Sequence, residues 1–253
     1  MNSILTKGRQ PVLALCVLVL AGCASSPHPD PRDPLEPYNR SVTRFNDKVD
    51  DAVLKPVATA YQQGVPLLAR TGASNFFANL GDAWSFVNNL LQLRAEGSLN
   101  SITRLSVNTV FGLGGLFDIA SEMGVDRHKQ DFGLTLGRWG VPPGPYLVLP
   151  ILGPSTVRDT AALPIDWQGG IMGDITPVAA RNSLYGLRIV DTRASFLRAG
   201  NVLDSAALDK YSFTRDVFLQ IRQQNGEPLA GKAQTVDETG DADGAGMLPA
   251  ESE

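Results

Sequence analysis

Residues 75–96 read NFFANLGDAWSFVNNLLQLRAE, and this stretch decides the fold class. Asn75, Asn79, Asp82, Ser85, Asn89, Gln92 and Glu96 follow one another at spacings of three or four. That spacing puts them on one face of an α-helix. The remaining surface is apolar almost all round, with Phe76, Phe77, Leu80, Trp84, Phe86, Val87, Leu90, Leu91 and Leu93. A helix on the surface of a water-soluble protein shows a charged solvent face and a narrower apolar stripe. Here the wide side is apolar and the narrow side is mostly amide and hydroxyl. Two arrangements suit that pattern. One is a helix with lipid or protein on most sides and a wet groove on one, the stripe from Asn75 to Gln92 being the candidate lining of a channel. The other is a central helix of a soluble bundle with a small exposed strip, which is the commoner use of such a pattern.

The neighbouring sequence is also helical. Residues 39–60 place Val42, Phe45, Val49 and Val53 on one helical face, and Pro56 is expected to kink or end that helix. Residues 99–110 form a third helix. Thr176-Pro177 is a start signal for a helix running to about residue 198 and stopping near Gly200-Asn201. A last helix covers about residues 205–224. Alternating β-type patterns are scarce, although residues 146–149 have the pattern of a short strand. The expected fold is therefore mainly α, a single helical domain over residues 35–226 with little or no β. Two segments break the pattern. Residues 111–120 (FGLGGLFDIA) are apolar with three glycines, and residues 141–154 (VPPGPYLVLPILGP) are apolar with five prolines. Proline fixes φ and removes a backbone donor, so the second stretch is neither a regular helix nor a central strand. It is an irregular apolar loop against something greasy, or an ordinary buried connector.

The start of the chain carries Lys7 and Arg9, an uninterrupted apolar run over residues 12–21, and then Leu20-Ala21-Gly22-Cys23. A basic start, an apolar middle and small residues before a cut make a secretory signal. Cysteine directly after the cut is the lipoprotein variant, in which the thiol takes a diacylglyceryl group. The run is about half the ~20 residues a membrane-spanning helix needs. Residues 1–22 are thus expected to be a signal peptide and Cys23 the lipidation site, carrying diacylglyceryl and N-acyl groups. Two or more chains anchor stably. Ala24 and Ser25 follow, with no Asp at the second position, which favours the outer membrane. Residues 23–34 are a Pro-rich tether, and residues 227–253 an acidic tail expected to be disordered.

The formal net charge of −4 comes from that tail. It holds seven acidic residues against Lys232 alone, and without it and the signal the chain has 19 acidic and 19 basic residues. A nucleic-acid binder would carry a basic stripe, and no polybasic run for anionic headgroups is present. With Cys16 in the signal and Cys23 lipidated, disulfides and cysteine–metal sites are excluded. His28 lies in the tether, leaving His128 as the single histidine of the domain. Asp131-Phe132-Gly133 matches a kinase Mg²⁺ motif but lacks its companions. Gly112-Leu113-Gly114 begins a dinucleotide fingerprint that Phe117 spoils. No metal site or cofactor is implied. A hydrolase would have to be built from Ser155 and His128. Asp50-Asp51 reads as a solvated face, Arg158-Asp159 as a structural ion pair, and His128 as part of a solvated loop.

Asp33-Pro34-Leu35-Glu36-Pro37-Tyr38-Asn39-Arg40, then Phe45-Asn46 and Lys55-Pro56-Val57-Ala58, resemble the start of the MlaA (VacJ) lipoproteins. Residues 131–159, DFGLTLGRWGVPPGPYLVLPILGPSTVRD, resemble that family's Gly- and Pro-rich core, and residues 111–120 and 209–222 also fit. The likeness covers about residues 33–222. It implies a ring-shaped, mainly helical domain lying in the periplasmic leaflet of the outer membrane, around an amphipathic channel. It also implies a trimeric porin as partner and no enzymatic activity. The family removes mislocalised phospholipids from the outer leaflet and passes them to a soluble periplasmic carrier (MlaC-like) for retrograde transport to the inner membrane, which maintains lipid asymmetry. Within that frame Gly144, Pro145, Tyr146, Pro150, Gly153 and Pro154 are candidate gate or rim residues, because an irregular loop moves more readily than a helix. Phe45 and Asn46 are a sensitive position on the first helix. A porin-scaffolding lipoprotein and a phospholipid hydrolase are the alternative readings.

Overall fold

The computed structural model describes residues 30–200 and 208–225. The signal, Cys23, most of the tether, Asn201, the first residues of the expected last helix and the acidic tail lie outside the described residues. Helix α1 (Glu36–Val49) has Pro37 in its first turn, where a missing N–H costs nothing. It runs into a π-helical turn, Asp50–Leu54, and then α2 (Lys55–Gly64), whose first turn holds Pro56. The expected break at Pro56 is thus taken up by one widened turn. The apolar face of this helix is divided: Val42 and Val49 are half-buried, whereas Phe45 and Val53 are exposed.

Helix α3 (Leu67–Leu91) begins well before residue 75. It stops because Leu93 sits in the left-handed region at φ 56°, a conformation that costs a non-glycine residue. Helix α4 (Ala95–Val110) then returns along α3. Short α5 (Ile119–Glu122) is capped by Asp118, and α6 (Phe132–Arg138) by Asp131, each side chain accepting from a backbone N–H of the first turn. The proline-rich segment forms a two-stranded antiparallel hairpin, β1 (Tyr146–Leu149) and β2 (Gly153–Thr156), with Tyr146 opposite Thr156 and Leu149 opposite Gly153. Pro154 is tolerated because a two-stranded ribbon is all edge. Then come α7 (Val157–Gly169), a 3₁₀ turn Ile171–Asp174, α8 (Val178–Ser195) and α9 (Lys210–Asn225). The architecture is mainly α, with the hairpin as the only sheet among the described residues.

Packing runs opposite to that of a water-soluble domain. Among the described residues, fully buried polar side chains outnumber buried apolar ones. The apolar clusters are small: Ala58, Ala194 and Leu197 with Tyr61, and Tyr146, Val148 and Tyr211 with Val42, Phe218 and Leu219. Leu68 and Phe111 are each 72% exposed, and Leu67, Leu93, Leu99, Val110, Leu113 and Ile151 are comparably open. No described helix is long and apolar enough to cross a membrane.

Candidate functional site: a polar seam and a clamped hairpin

The stripe on α3 meets a second stripe on α4. Ser98, Ser101, Arg104 and Asn108 recur at spacings of three and four and are all buried. Sequence reasoning missed this partner stripe, although its spacing is the same signal. Between the helices Asn79 donates to Thr109 Oγ1 at 3.1 Å. Asn89 donates to the Ser85 carbonyl at 2.9 Å and the His128 carbonyl at 3.0 Å. Gln92 donates to Gln130 Oε1 and Thr135 Oγ1, and Thr135 donates to Asn88 Oδ1 at 2.7 Å. Glycines let the backbones close in. A Cβ at Gly97 would stand 2.5 Å from Asn89 Oδ1, and one at Gly115 would stand 2.6 Å from Asn79 Nδ2.

Arg104 is the centre of the seam. Its Nη2 forks onto both oxygens of Asp118 at 2.7 and 2.8 Å. Its Nη1 donates to the Val125 carbonyl at 2.6 Å, and its Nε faces Asp82 at 3.3 Å. Arg127 adds a second cation to Asp82 at 3.2 Å. Burial pushes the Asp82 carboxyl up from its usual range despite both arginines. Burial acts on Asp118 in the same direction, but the hydrogen bonds from Ser121 and Asn108, with Arg104, outweigh it and hold that carboxyl at about 2.

Asn79, Asp82, Ser85, Asn89 and Gln92, expected to line a channel, are therefore closed into a helix–helix seam in this structure. Asn75 alone is half-open, donating to the Leu116 carbonyl at 3.1 Å. Apolar side chains cover the outside, and most of the polar groups satisfy one another within. Three amide oxygens of the stripe, Asn79 Oδ1, Asn89 Oδ1 and Gln92 Oε1, are buried without a protein hydrogen-bond donor.

The second construction joins α1 to the hairpin. Asn39 and Asn46, two helical turns apart, each present a carboxamide to the edge of β1 as a neighbouring strand would. Asn39 donates to the Tyr146 carbonyl at 3.0 Å and accepts from Val148 N–H at 2.8 Å. Asn46 donates to the Leu149 carbonyl at 2.9 Å and accepts from Ile151 N–H at 2.7 Å. Phe45 points away, half exposed. Of the candidate rim residues, Gly144, Pro145, Pro150 and Pro154 are exposed and Gly153 is half-buried. Tyr146 is buried, with ring edges against Tyr211 and Phe218. It anchors the hairpin base; a rim position does not fit it.

Helix α9 straps these parts together. Tyr211 O–H donates to Asp33, which also accepts from Asn39 Nδ2 at 2.8 Å. Burial first, then that hydrogen bond to a carboxylate, drives the Tyr211 hydroxyl far up. Arg222 reaches Asp131 at 2.5 Å and Asp159 at 2.7 Å, joining the N-cap of α6 to the first turn of α7. Arg158 pairs with Asp159 at 3.0 Å, the structural pair expected.

No catalytic constellation forms around the nameable residues. Ser155 bonds Thr160 Oγ1 at 2.9 Å, and the His128 ring meets Asn100 at 3.0 Å, so neither touches the other. His128 is half-buried against the seam, whereas a solvated loop was expected. Asp50 likewise departs from a solvated face: Arg193 forks onto it with both distances 2.6 Å. No group of three or more potential metal ligands occurs among the described residues.

Residues 31–225 match the family described as MlaA lipoprotein. The intermembrane phospholipid transport system lipoprotein MlaA of Escherichia coli (strain K12) is 35% identical over 221 residues, 85% of this chain and 87% of that protein. Its namesake in Haemophilus influenzae is 31% identical over 244 residues, 88% and 94% of the two chains. An uncharacterized protein of Rickettsia typhi is 41% identical over 127 residues, so the chain spans about half the length of that relative (51%). A solved structure concerned with the maintenance of bacterial outer membrane lipid asymmetry superposes with a TM-score of 0.68 at 33% identity, covering 77% of this chain and 99% of that one. A helical domain with its polar groups inside, a Gly- and Pro-rich hairpin core and a family match across nearly every described residue lead to one assignment: the chain belongs to the MlaA lipoprotein family.

Proposed function

We propose that this protein is a lipid-anchored outer-membrane protein that withdraws misplaced phospholipids from the outer leaflet and passes them to a periplasmic carrier. The observation that carries the reading is the inverted burial: amides and ion pairs inside, leucines and phenylalanines outside. An exposed apolar surface of this extent needs a greasy surrounding. In this reading the helices lie in the plane of a leaflet, their exposed apolar side chains against its acyl chains. The names of the E. coli and Haemophilus relatives support the same substrate class.

The task needs no covalent step. A lipid's charged headgroup must pass a hydrocarbon layer where a bare charge is costly, and a polar path through a ring of helices lowers that cost. Helix α8 suits such a wall, since only Asp191 and Ala194 of its residues are buried. The hairpin tip 150–152 suits a gate, because α1 holds it through one side chain. Cys23 supplies the anchor. A trimeric porin and an MlaC-like carrier are the partners this reading requires.

The test is the phospholipid content of the outer leaflet with and without the gene. A rise on deletion, reversed by the wild type and not by Cys23→Ala, supports membrane-anchored lipid removal. Unchanged content with retained porin co-purification would replace it with the scaffolding reading. Turnover of labelled phospholipid by the purified protein would replace it with the hydrolase.

A further inference from the structure

Helix α8 carries three arginines and one aspartate between Val178 and Ser195. Arg193 is held by Asp50. Asp191 accepts from Tyr61 Oη at 3.1 Å and Ser74 Oγ at 2.6 Å. Arg181 and Arg188 are left. They are seven residues apart, two turns along the same helical face, and both reach the same 3₁₀ turn, Ile171–Asp174. Arg181 Nη1 meets the Gly173 carbonyl at 3.4 Å, and Arg188 Nη1 meets the Met172 sulfur at 3.6 Å. Neither is within ion-pair distance of a carboxylate among the described residues, and Asp174 in that turn pairs with neither. A thioether is a poor acceptor for a guanidinium, and most of the N–H donors of both side chains remain unspent.

The surroundings narrow what would satisfy them. Val178, Leu187 and Ile189 on α8 and Ile171 in the turn expose apolar side chains around the two cations. Arg181 is half-buried and Arg188 exposed, and in the lipid surrounding proposed above two such like charges repel each other and lack the stabilisation that water gives. A planar fork of N–H donors suits the oxygens of a phosphate. An acyl chain attached to that phosphate would cover the flanking side chains.

We infer that Arg181 and Arg188 form a binding site for the phosphodiester of a glycerophospholipid, its acyl chains lying along α8. The site sorts cargo by the phosphate: lipids that bear one are held, and diacylglycerol of the same chain length is not. This rests on the transport reading above and adds the residues that contact the headgroup.

The experiment uses the full lipidated protein, incubated with vesicles of phosphatidylglycerol or of dioleoylglycerol in a neutral carrier lipid, re-isolated, and assayed for retained lipid by native mass spectrometry. A parallel titration uses glycerol 3-phosphate in water. The double variant Arg181→Gln/Arg188→Gln is expected to retain at least about tenfold less phosphatidylglycerol than the wild type, from the loss of hydrogen bonds to a charged group. Its diacylglycerol retention stays at the wild-type level. The Arg181→Lys/Arg188→Lys variant keeps the charge and recovers most of the binding, and Arg44→Gln, an exposed cation on α1, changes nothing.

Equal phosphatidylglycerol retention by the wild type and the Gln variant overturns the inference and leaves the transport reading standing. A Gln variant whose melting temperature falls together with its phosphatidylglycerol retention shows that the arginines only support the fold, which also overturns it, as does a wild type that retains diacylglycerol as well as phosphatidylglycerol. Glycerol 3-phosphate bound as tightly as the lipid assigns the site to a soluble phosphate ester instead. A wild type that retains neither lipid takes down the transport reading itself.

Discussion

Asn46 on α1 completes the end of β1 by bonding Leu149, more than a hundred positions away, at 2.9 Å. Its other carboxamide atom accepts from Ile151 at 2.7 Å, so a single side chain fixes the hairpin tip. Asn46→Ala is expected to release the tip while the hairpin base stays formed. Hydrogen exchange at Ile151 should accelerate by about five- to tenfold, with Val148 unchanged, because one lost hydrogen bond is worth about 1–1.5 kcal/mol. Protection retained at Ile151 would show that the tip is held elsewhere.

Asn39 is the stricter position. It is fully buried and serves Asp33, Tyr146 and Val148 together. Asn39→Ala leaves buried groups without partners, at about 1–3 kcal/mol each. The expected result is loss of the folded domain at physiological temperature, read by circular dichroism in detergent. Asn39→Asp fails too, because a carboxylate cannot donate to the Tyr146 carbonyl.

Arg104→Met should be among the most damaging single changes. It strips Asp82 and Asp118 of the buried cation they share and leaves them only Arg127. Breaking a buried pair by removing one partner costs about 3–5 kcal/mol. Arg104→Lys is expected to rescue little, since one ammonium cannot fork onto Asp118 and also reach the Val125 carbonyl. Chemical unfolding midpoints of the three proteins in one detergent settle the order.

Acid should loosen the seam from the Asp118 side. Its folded carboxyl sits at about 2, against about 3.9 in an unfolded chain. The unfolded state then binds the proton more readily, so this stabilisation is present above about pH 4 and is lost as the pH falls towards 2. Asp82 has the opposite sign: its raised pKa means the folded form takes the proton first, which favours the fold on acidification. Asp118→Asn should therefore flatten the loss of stability between pH 4 and 2, measured as melting temperature against pH. An unaltered slope would assign the acid response to other carboxylates.

The close approach at Gly115 predicts a steric result. The residue has φ 95°, and a Cβ would meet Asn79. Gly115→Ala is expected to destabilise the α3–α4 pair strongly, whereas Gly114→Ala, with open space around it, carries only the cost of its φ of 73°. Comparable melting temperatures for the two would remove close packing as the reason for this glycine.

The local signals were readable in the chain. The spacing of the α3 stripe, the helix over residues 99–110, the break at Pro56 and the short strand at 146–149 follow from periodicity and proline chemistry, whereas the irregular loop expected over 141–154 is a paired hairpin, because its prolines fall outside β1. The direction in which the stripe faces did not follow. Periodicity says which residues share a face, and only the surrounding medium says which face turns in; with the wide apolar side outermost, Asn89 closes against α4 and Gln92 against α6. Tyr146 lies in a segment whose irregularity suggests a movable rim, while its burial depends on Tyr211 and Phe218 from a distant helix. Asn39 and Asn46 reach partners about a hundred residues on, and no local pattern announces that. The partner stripe on α4 carries the same spacing, and an arginine among serines gives no local sign that it is buried.

The inverted packing changes what water does to this protein. An ordinary domain is squeezed together by the surrounding liquid and loosened by amphiphiles. Here the leucines and phenylalanines already face outward, so water gains little by closing the chain. Mild detergent should raise the melting temperature, and its removal should cause self-association. In transit to its site, such a chain would need an escort to shield its surface.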